Sequence, residues 1–436
     1  MLLHATPISA GPAIQGIERP LRGTYLSPRN TLSLVLAGGR GKRMADLTDD
    51  IAKPYLDFAG KFKIIDFTLS NLVNSGFRRI AVLTQYNSHP LLEHLRFGWS
   101  DLPGKLNEWI HPWPAQQRQG NDHWYNGTAD AIFQNLEAIR ALAPENVMIL
   151  AGDHVYKMDY KYLLEDHLNH QADVTIACME VPRILARNFG VAEVDGEDRI
   201  QSWVEKSLHP PCIPGKPNEA LASMGVYLFK SQFLFDVLER DALDPNSTHD
   251  FGMDVIPQLL DQARVYAHRF ERSCIQNPTR PGAYWRDVGT VDAYWEANLD
   301  LTSANPMLNL YEEAWPIHTH MESLPPAKFI HDDPTHQGVA ANSLVSAGCV
   351  VSGADIHRSI LFSKVRVCRQ ALLDEAVVLP GAVIGEGARL RRVVIAPGCQ
   401  IPSRLIVGDD PVADGRRFFR SPGGVTLISK QMIERL

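Results

Sequence analysis

Apolar residues in the first two-thirds of the chain form short uninterrupted runs, and between these runs they recur with the spacing of a helix. An uninterrupted, β-branched run is typical of a strand that is buried on both faces of a sheet. Strands that alternate with helices form a parallel sheet with helices packed on its faces. The pattern therefore predicts an α/β domain, with strands at residues 34–36, 80–83, 147–150, 174–177 and 224–229.

Two helices are predicted between the first three of these strands. Residues 64–73 carry apolar positions at helical spacing, and Gly76 ends this helix before the next strand. A second helix covers residues 128–139, with Thr128 as its N-cap residue and Pro144 as its stop signal. Strand, helix and strand in this order are the unit of a parallel sheet.

A different period begins near Leu344, after a connector that is rich in proline. Apolar residues then recur every six positions, and glycine or another small residue follows many of them. Hexad repetition with phase slips predicts a parallel β-helix whose coils stack aliphatic side chains inward, with a β-sandwich as the alternative. The hexad positions are Val350, Ile356 and Phe362, then Val378, Ile384 and Leu390, then Ile395, Ile401 and Val407.

These patterns divide the chain into four parts. With 436 residues the chain is longer than a usual single core. We predict a flexible lead-in over residues 1–30, an α/β domain over 31–305, a linker over 306–340 and a β-helix over 341–436.

Composition narrows the classes of function and location. The net charge of −7 argues against a general nucleic-acid binder, so any anion site must be local. No stretch has the features of a signal peptide, and no apolar run is long enough to cross a bilayer. The six cysteines are scattered, which argues against a disulfide framework or a zinc site. We predict a cytoplasmic protein that binds neither nucleic acid nor membranes.

The segment after the first strand is rich in glycine and in cations. Gly38, Gly39 and Gly41 let the backbone approach a ligand and direct N–H groups at an anion. Arg43 and Lys53 add fixed positive charge. We predict a polyphosphate site here, and the alternative is a tight strand-to-helix turn with ordinary surface cations.

This loop matches neither of the two commonest phosphate-binding motifs. A P-loop has glycine where Leu36 stands and Ser or Thr where Arg43 stands. A dinucleotide-binding fingerprint has glycine where Met44 stands. The sequence therefore favours neither a kinase-type NTPase nor a dehydrogenase.

Two acids and a lysine complete the predicted site. Ligands of open α/β sheets bind at the carboxyl ends of strands, where both the glycine-rich loop and Asp153 emerge. An acid beside a polyphosphate needs a cation between them, so Asp153 is predicted to bind Mg²⁺, with Asp287 as the second ligand. Lys206 follows an aromatic-rich strand and suits a single phosphate group. The alternatives are an aspartate in a surface turn and an ordinary surface lysine.

The order of these motifs resembles the sugar nucleotidylyltransferase family, and within it the members that use ATP and glucose 1-phosphate. Residues 36–43, followed by Ala-Lys-Pro at 52–54, are similar to the signature loop of the family. The resemblance covers nearly the whole chain after residue 30. Further similar stretches are residues 61–67, 114–118, 124–125, 127–130, 151–154, 204–206, 222–225, 247–252, 285–290 and 323–328.

The resemblance implies a Rossmann-like mixed-sheet nucleotidyltransferase domain followed by a left-handed parallel β-helix. It implies transfer of the adenylyl group of ATP to α-D-glucose 1-phosphate, giving ADP-glucose and pyrophosphate, the committed step of bacterial glycogen synthesis. The sugar phosphate is already an anionic nucleophile, so no general base is needed. Catalysis then rests on positioning and charge neutralisation.

The resemblance also implies a role for individual residues. Arg43 and Lys53 would hold the triphosphate, while Asp153 and Asp287 would bind Mg²⁺. The implied nucleotide-binding positions are Leu36, Ala37, Gly38, Gly39, Gly41, Gln116, Gln117 and Gly127, with the two glutamines at the adenine. The implied positions for glucose 1-phosphate are Tyr125, Gly190, Glu205, Lys206 and Ser223.

Regulation and assembly are implied in the same way. Members of the family are usually homotetramers and respond to small-molecule effectors. Enteric relatives carry basic residues where this chain has Asp50 and Ile51. This difference argues against fructose 1,6-bisphosphate as the activator. The candidate effector-binding residues are Lys61, Arg416, Arg417 and Arg420.

Three other functions remain open from the sequence. The same sheet serves uridylyl- and thymidylyltransferases, although Gln116 and Gln117 favour the adenylyl form. A non-catalytic regulatory subunit would keep the fold, but the retained Lys53 and Asp153 argue against it. A hexapeptide acyltransferase would explain the β-helix but neither the glycine-rich loop nor the two acids.

Overall fold

The computed structural model describes residues 28–100, 104, 107–116, 124–331 and 337–436, and for Lys42 it describes only the backbone. The predicted lead-in up to residue 27 and the predicted adenine contact Gln117 lie outside the described residues.

The first part of the chain alternates strands and helices. Its strands are β1 (Thr31–Leu36), β2 (Asp57–Phe58), β3 (Phe62–Lys63), β4 (Arg79–Thr84), β5 (Trp109–Pro114), β6 (Asn146–Ala151), β7 (His154–Tyr156), β8 (Val174–Pro182), β9 (Gly190–Val194), β10 (Ile200–Glu205), β11 (Glu219–Lys230), β12 (Val265–Arg269) and β13 (Trp285–Asp287). Its α-helices are α1 (Ile64–Asn74), α2 (His89–Gly98), α3 (Thr128–Phe133), α4 (Leu136–Ala141), α5 (Tyr160–Asn169), α6 (Ser231–Ala242), α7 (Ile256–Leu259) and α8 (Val291–Asp300). Short 3₁₀ helices span Pro28–Asn30, Lys42–Thr48, Lys53–Tyr55, Ala186–Asn188 and Phe270–Arg272, and a π-helical turn spans Phe251–Val255.

Within the described residues, nine of these strands form one mixed sheet with β1 near its middle. The order is β10-β9-β11-β6-β1-β4-β5, and β8 pairs with both β11 and β12. β1 runs parallel to β4 and β6, whereas β11 runs antiparallel to β6. Each predicted strand is present, and the predicted α/β fold with a mixed sheet is confirmed.

Alternate residues of β1 face opposite layers of the domain. Leu32 and Leu34 are fully buried in the apolar cluster that α3 and α6 cover, while Val35 is fully buried beside Ile65 of α1. Burial of one such side chain contributes about 1.5–3 kcal/mol. Because β1 is held from both faces, the loop that follows it leaves the sheet at a fixed point.

The first predicted helix is confirmed as α1, and Gly76 follows its end at a φ of +83°. The second prediction is wrong in two respects. Two helices, α3 and α4, replace one, because the Asn135 side chain donates a hydrogen bond to the Ala131 carbonyl and interrupts the backbone between them. Thr128 does not cap α3 either, because its hydroxyl donates to Asp250 and accepts from Phe251 N.

The last part of the chain consists mainly of very short strands. They are β14 (Lys328–Ile330), β15 (Val339–Ala341), β16 (Leu344–Val345), β17 (Val350–Ser352), β18 (Asp355–His357), β19 (Ile360–Leu361), β20 (Arg366–Val367), β21 (Leu372–Val378), β22 (Val383–Ile384), β23 (Arg389–Ile395), β24 (Gln400–Ile401), β25 (Ile406–Val407), β26 (Phe419–Arg420) and β27 (Thr426–Ile428). Two helices, α9 (Pro411–Arg417) and α10 (Lys430–Ile433), lie near the end.

Most of these strands stack in parallel as the coils of a β-helix, whereas β26 pairs antiparallel with β27. Ile356 pairs with Leu373, Leu373 pairs with Leu390, and Leu390 pairs with Val407 of β25. Successive partners are therefore 17 residues apart, one fewer than three hexads, which is the physical origin of the phase slips in the sequence. Parallel stacking of this kind excludes the β-sandwich alternative.

One inward position of the β-helix differs from the prediction. Val351 is fully buried, whereas Val350 is only partly buried. Val351 pairs with Val367 in the next coil, so it belongs to the inward-facing column. Counting six residues back from Ile356 gives Val350. The inward-facing residue is Val351 because this part of the coil is one residue shorter than a hexad.

The β-helix packs against the sheet domain around α8. Trp295 of α8 donates its indole N–H to the Glu375 carbonyl over 2.8 Å, and the Arg392 guanidinium lies over the same ring at 4.8 Å. Ser346 Oγ donates to the Gly60 carbonyl over 2.8 Å. One apolar cluster contains buried residues from both parts of the chain. These contacts hold the β-helix beside the elements that form the candidate site.

A buried histidine makes stability depend on pH. His167 is fully buried, and its Nδ1 lies 2.8 Å from Thr175 Oγ1. Burial, together with repulsion from Lys230, lowers the pKa of His167 to about 4. An unfolded histidine has a pKa near about 6.5, so the unfolded chain binds the extra proton first as the pH falls.

We expect the free energy of unfolding to fall by about 3 kcal/mol as the pH falls from about 6.5 to 4, because the unfolded chain takes up this proton first. Above this window His167 is neutral in both states, and the full stability is retained. Urea unfolding of the unmodified protein and of His167→Gln across this range measures it, and the difference between the two curves should shrink towards low pH. His89→Gln, at an exposed position, is the control. A pH-independent difference would contradict the assignment.

Candidate active site

The glycine-rich loop folds back onto the start of the Lys53–Tyr55 turn. Gly39 accepts a hydrogen bond from Lys53 N over 3.3 Å, and the Gly41 carbonyl accepts one from Thr48 Oγ1 over 3.0 Å. Gly41 has a φ of +66°, and a Cβ there would lie 3.1 Å from Lys53 Cβ. The loop therefore requires glycine at this position in order to bring Lys53 under the carboxyl end of β1.

Lys53 lies between the two predicted metal-binding acids. Its Nζ is 2.8 Å from Asp153 Oδ2 and 2.9 Å from Asp287 Oδ1, and its side chain is only 5% exposed. Burial disfavours the charged ammonium, but the attraction of both carboxylates outweighs this effect and raises the pKa of Lys53. Burial also opposes ionisation of Asp153, yet Lys53 and His154 hold the pKa of that carboxyl well below its usual range. Lys53 and Asp153 are therefore both ionised at neutral pH.

Two pieces of backbone bring these acids together. Asp153 lies just past β6, whose end is joined to β1 by the hydrogen bond from Gly152 N to the Leu36 carbonyl, 3.0 Å. Asp287 is the last residue of β13, which pairs antiparallel with β7 so that Asp287 faces His154. The predicted meeting of Asp153 and Asp287 at the carboxyl edge of the sheet is thus observed.

Arg43 approaches the same cluster from the loop side. Its guanidinium lies 3.8 Å from Asp287 Oδ2, and 66% of its side chain is exposed. A Cβ on Gly289 would lie 2.9 Å from this guanidinium, so glycine there leaves room for it. An exposed guanidinium above two acids and a buried ammonium is available to bind an anion that enters from solvent.

The residues present fit a divalent cation. Asp153, His154 and Asp287 each offer one ligand atom, and these atoms lie within 4.8 Å of one another. Carboxylate oxygens are the protein ligands that Mg²⁺ prefers. His154 was not predicted from the sequence, although its position directly after Asp153 was the available signal. Its Nδ1 also lies 3.2 Å from the Met224 carbonyl.

A second group of predicted residues gathers around Glu205. A Cβ on Gly190 would lie 2.2 Å from the Trp203 ring and 2.5 Å from Glu205 Oε2, so only glycine fits beneath this carboxylate. Burial raises the pKa of Glu205. Lys206 Nζ lies 3.2 Å from Glu205 Oε1, and 62% of the Lys206 side chain is exposed.

Two more predicted sugar-site residues, Ser223 and Tyr125, make local contacts. Ser223 Oγ accepts a hydrogen bond from Gly225 N over 3.2 Å, at a point where the register of β11 is irregular. Tyr125 OH accepts from Asn135 over 3.0 Å. Tyr125 also lines a cavity of about 550 Å³ together with Trp124 and residues of α3 and α6; Glu205 and the acid cluster do not line this cavity.

Gly127, a predicted nucleotide-binding residue, is linked to the Glu205 group through residues 249–252. Gly127 has a φ of +107°, and a Cβ there would lie 2.3 Å from the His249 carbonyl. Thr128 Oγ1 donates to Asp250, and a Cβ on Gly252 would lie 2.6 Å from Glu205 Oε2. Gln116 is exposed at the end of β5, and Ala37 is fully buried.

The predicted effector residues lie on other elements. Lys61 is in the β2–β3 hairpin, where its ammonium lies 5.3 Å from the Phe62 ring centroid. Arg416 and Arg417 are in α9, and Arg417 pairs with Asp414 at 2.7 Å. Arg420 is in β26. The structure does not place these four residues in the acid cluster.

One arrangement has the residue types of a hydrolase triad, which the sequence reading did not find. His268 Nδ1 lies 2.6 Å from Asp166 Oδ2, and His268 Nε2 lies 2.8 Å from Ser273 Oγ. His268 is fully buried and Ser273 is 2% exposed, so a substrate cannot reach the hydroxyl. This group is a buried hydrogen-bond network that ties α5 to β12.

Comparison with known proteins identifies the family to which this geometry belongs. The family model described as Nucleotidyl transferase matches residues 32–304. A glucose-1-phosphate adenylyltransferase from Paramagnetospirillum magneticum is 53% identical over 94% of this chain and 95% of its own length. The chain belongs to the glucose-1-phosphate adenylyltransferase family. Its membership is consistent with the pairing of a glycine-rich loop and two acids at one sheet edge.

Other members support the assignment over the whole length of the chain. The glucose-1-phosphate adenylyltransferase from Dechloromonas aromatica is 51% identical over 93% of this chain and 92% of its own. The one from Granulibacter bethesdensis is 52% identical over 95% of this chain and all of its own. The family model described as GlmU-like, C-terminal hexapeptide matches residues 325–428. The β-helix of this member is therefore left-handed, as predicted.

Among the described residues, none of the helices combines the length and the apolar character that are needed to cross a membrane.

Proposed function

We propose that this protein transfers the adenylyl group of ATP to α-D-glucose 1-phosphate, with release of pyrophosphate and formation of ADP-glucose. The observation that carries the proposal is the contact of the Lys53 ammonium with both Asp153 and Asp287 beneath the glycine-rich loop. A buried cation and two acids in one place suit a reaction in which negative charge is redistributed between phosphates. The names of the relatives support the choice of nucleotide and sugar.

We assign the triphosphate to the loop side of the cluster. Arg43 is exposed and Lys53 is buried, so an incoming triphosphate meets Arg43 first and then the ammonium below it. Asp153 and Asp287 would hold Mg²⁺, which supplies charge neutralisation at the phosphate oxygens when it is bound. Gly38, Gly39 and Gly41 bring the loop backbone close to the phosphates, and Gln116 and Gln117 are assigned to the adenine.

We assign glucose 1-phosphate to the group around Glu205. The Glu205 carboxylate accepts hydrogen bonds from sugar hydroxyls, and Lys206 binds the phosphate as a point charge. Gly190 leaves space under the carboxylate, while Tyr125 and Ser223 complete the binding positions. The sugar phosphate brings its own anionic oxygen as the nucleophile, so these residues have only to orient it.

Several broader statements belong to the same proposal. The protein acts in the cytoplasm in glycogen synthesis, as a homotetramer. Residues 31–305 form the catalytic domain, 306–340 the linker and 341–436 a regulatory and oligomerisation domain. Lys61, Arg416, Arg417 and Arg420 bind small-molecule effectors, away from the acid cluster.

We expect pyrophosphate release with ATP and α-D-glucose 1-phosphate to exceed release with UTP or dTTP by at least about 10²-fold in kcat/KM. A site that hydrogen-bonds one base rejects others by such factors or more, because its polar groups are left unpaired. A coupled assay of pyrophosphate with each triphosphate measures this preference. Preference for UTP or dTTP would instead assign the protein to uridylyl or thymidylyl transfer.

A further inference from the structure

The end of the β-helix returns to the catalytic domain and contacts it on two sides of the acid cluster. Residues 421–429, called the 421–429 segment below, contain β27, whose backbone pairs with β23 of the β-helix. Ser429 Oγ donates a hydrogen bond to Asp46 Oδ2 over 2.6 Å. Ser421 Oγ donates to one oxygen of Asp292, and Gly423 N donates to the other over 3.0 Å.

The first contact acts on the 3₁₀ helix that carries Arg43. Asp46 lies three residues after Arg43 in Lys42–Thr48. Between them Ala45 adopts a φ of 49° and a ψ of −142°, a backbone conformation that a residue with a Cβ rarely occupies. Such a conformation persists only where the surrounding structure enforces it. The hydrogen bond from Ser429 to Asp46 is one restraint on this kink.

Apolar packing supports the same contact. Met44 and Leu47 of the 3₁₀ helix are buried in one cluster with Val425, Leu427 and Ile428 of the 421–429 segment. Ser429 itself is only 5% exposed, so water does not compete freely for its hydroxyl. The hydrogen bond to Asp46 is therefore part-buried, with its donor side shielded from water.

The second contact acts on α8, the helix that follows β13 and Asp287 in the chain. Asp292 is in the first turn of α8, five residues after Asp287, and Thr290 caps this helix. A Cβ on Gly423 would lie 2.6 Å from Asp292 Oδ1, so the close approach requires glycine. The 421–429 segment thus contacts the Arg43 side and the Asp287 side of the site at once.

We propose that the 421–429 segment positions the phosphate-binding loop, and that Ser429 and Asp46 are positioning residues for Arg43. The inference rests on the part of the proposed function in which Arg43 holds the triphosphate. It predicts that loss of the Ser429–Asp46 hydrogen bond frees the Ala45 kink, moves Arg43 and weakens the binding of phosphates. No substrate touches Ser429 in this account.

The test measures the dissociation constant of inorganic tripolyphosphate for the full-length protein by titration calorimetry. This probe has neither base nor sugar, so the result does not depend on the choice of nucleotide. We expect Ser429→Ala and Asp46→Ala each to weaken binding by about fivefold, the loss of one hydrogen bond. Asp46→Asn keeps an acceptor and should bind within about twofold of the unmodified protein. The double variant should be no weaker than either single variant, because both remove the same contact.

Ser346→Ala is the matched control, because it removes another serine hydrogen bond, 2.8 Å long, between the β-helix and Gly60, away from the loop. It should leave tripolyphosphate binding unchanged. Equal weakening in Ser346→Ala and Ser429→Ala, or unchanged binding in Ser429→Ala with a lowered melting temperature only, would overturn the positioning role.

Arg43→Ala separates this inference from the proposed function. If Arg43→Ala loses tripolyphosphate binding while Ser429→Ala and Asp46→Ala keep it, the positioning role alone is wrong. If Arg43→Ala binds as tightly as the unmodified protein, then the assignment of Arg43 to the triphosphate is wrong, and the positioning role is wrong with it.

Discussion

Asp153→Asn should lose turnover by about 10²–10³-fold while the protein stays folded, which is the usual cost of removing one preorganised charge from a reacting phosphate site. The carboxylate of Asp153 meets Lys53 at 2.8 Å, and its pKa lies well below the usual range, so it is ionised at neutral pH. Asparagine keeps the shape but neither the charge nor the second oxygen acceptor. Steady-state assays with saturating ATP and glucose 1-phosphate measure kcat directly.

Asp173→Asn is the matched control for this variant. Asp173 also meets two cations, Lys230 at 3.0 Å and Arg264 at 3.3 Å, and its pKa is likewise lowered, to about 2. It lies outside the acid cluster, between β8 and the loop before β12. We expect this control to lose stability but to keep kcat. Normal turnover in Asp153→Asn would show that the acid cluster is not the reaction centre.

Lys53→Met is expected to affect both stability and cation binding. Methionine removes the ammonium that lies between Asp153 and Asp287 and leaves two carboxylates facing each other in a partly buried site. Removing one partner of a buried ion pair costs about 3–5 kcal/mol. We therefore expect the free energy of unfolding without added metal to fall by about 3 kcal/mol, and turnover to be lost.

The same variant should bind a divalent cation more tightly when no nucleotide is present. With Lys53 gone, both carboxylates lose the ammonium that they contact, and Mn²⁺ titration followed by electron paramagnetic resonance should show at least about tenfold tighter binding than in the unmodified protein. Added Mn²⁺ should also restore stability. Neither effect is expected in Lys157→Met, where the buried ammonium donates to the Asn309 and Trp315 carbonyls rather than to acids. Unchanged Mn²⁺ affinity in Lys53→Met would contradict the metal assignment.

The sequence predicted the elements whose signals are local. The uninterrupted apolar runs of β1, β4 and β6 correspond to buried strands, and the carboxyl ends of β1 and β6 bring the loop and Asp153 to one edge. The hexads predicted stacked coils because each face of a coil places one aliphatic residue inward. This repeat is visible in the sequence whatever the residues between the inward positions are. These features depend on nearest neighbours along the chain or across one strand pair.

Features that depend on distant contacts were missed or misplaced. The break at Asn135 depends on a side chain that bonds Tyr125 and Ala131, and the role of Thr128 depends on Asp250, more than a hundred residues away. The contacts of the Lys53 ammonium with Asp153 and Asp287 were not predicted either, because they join residues 100 and 234 positions apart in the chain. The contact of Ser429 with Asp46 joins residues far apart in the chain, and no periodicity in the sequence predicts it.

The most direct test of the central claim is identification of the products of the purified, unmodified protein by mass spectrometry and ³¹P nuclear magnetic resonance. With ATP, α-D-glucose 1-phosphate and Mg²⁺, the account predicts ADP-glucose and pyrophosphate in equal amounts, and formation of both at least about 10²-fold more slowly when Asp153→Asn replaces the unmodified protein. Formation of ADP or phosphate without ADP-glucose would contradict the account. So would the complete absence of ATP consumption by the unmodified protein.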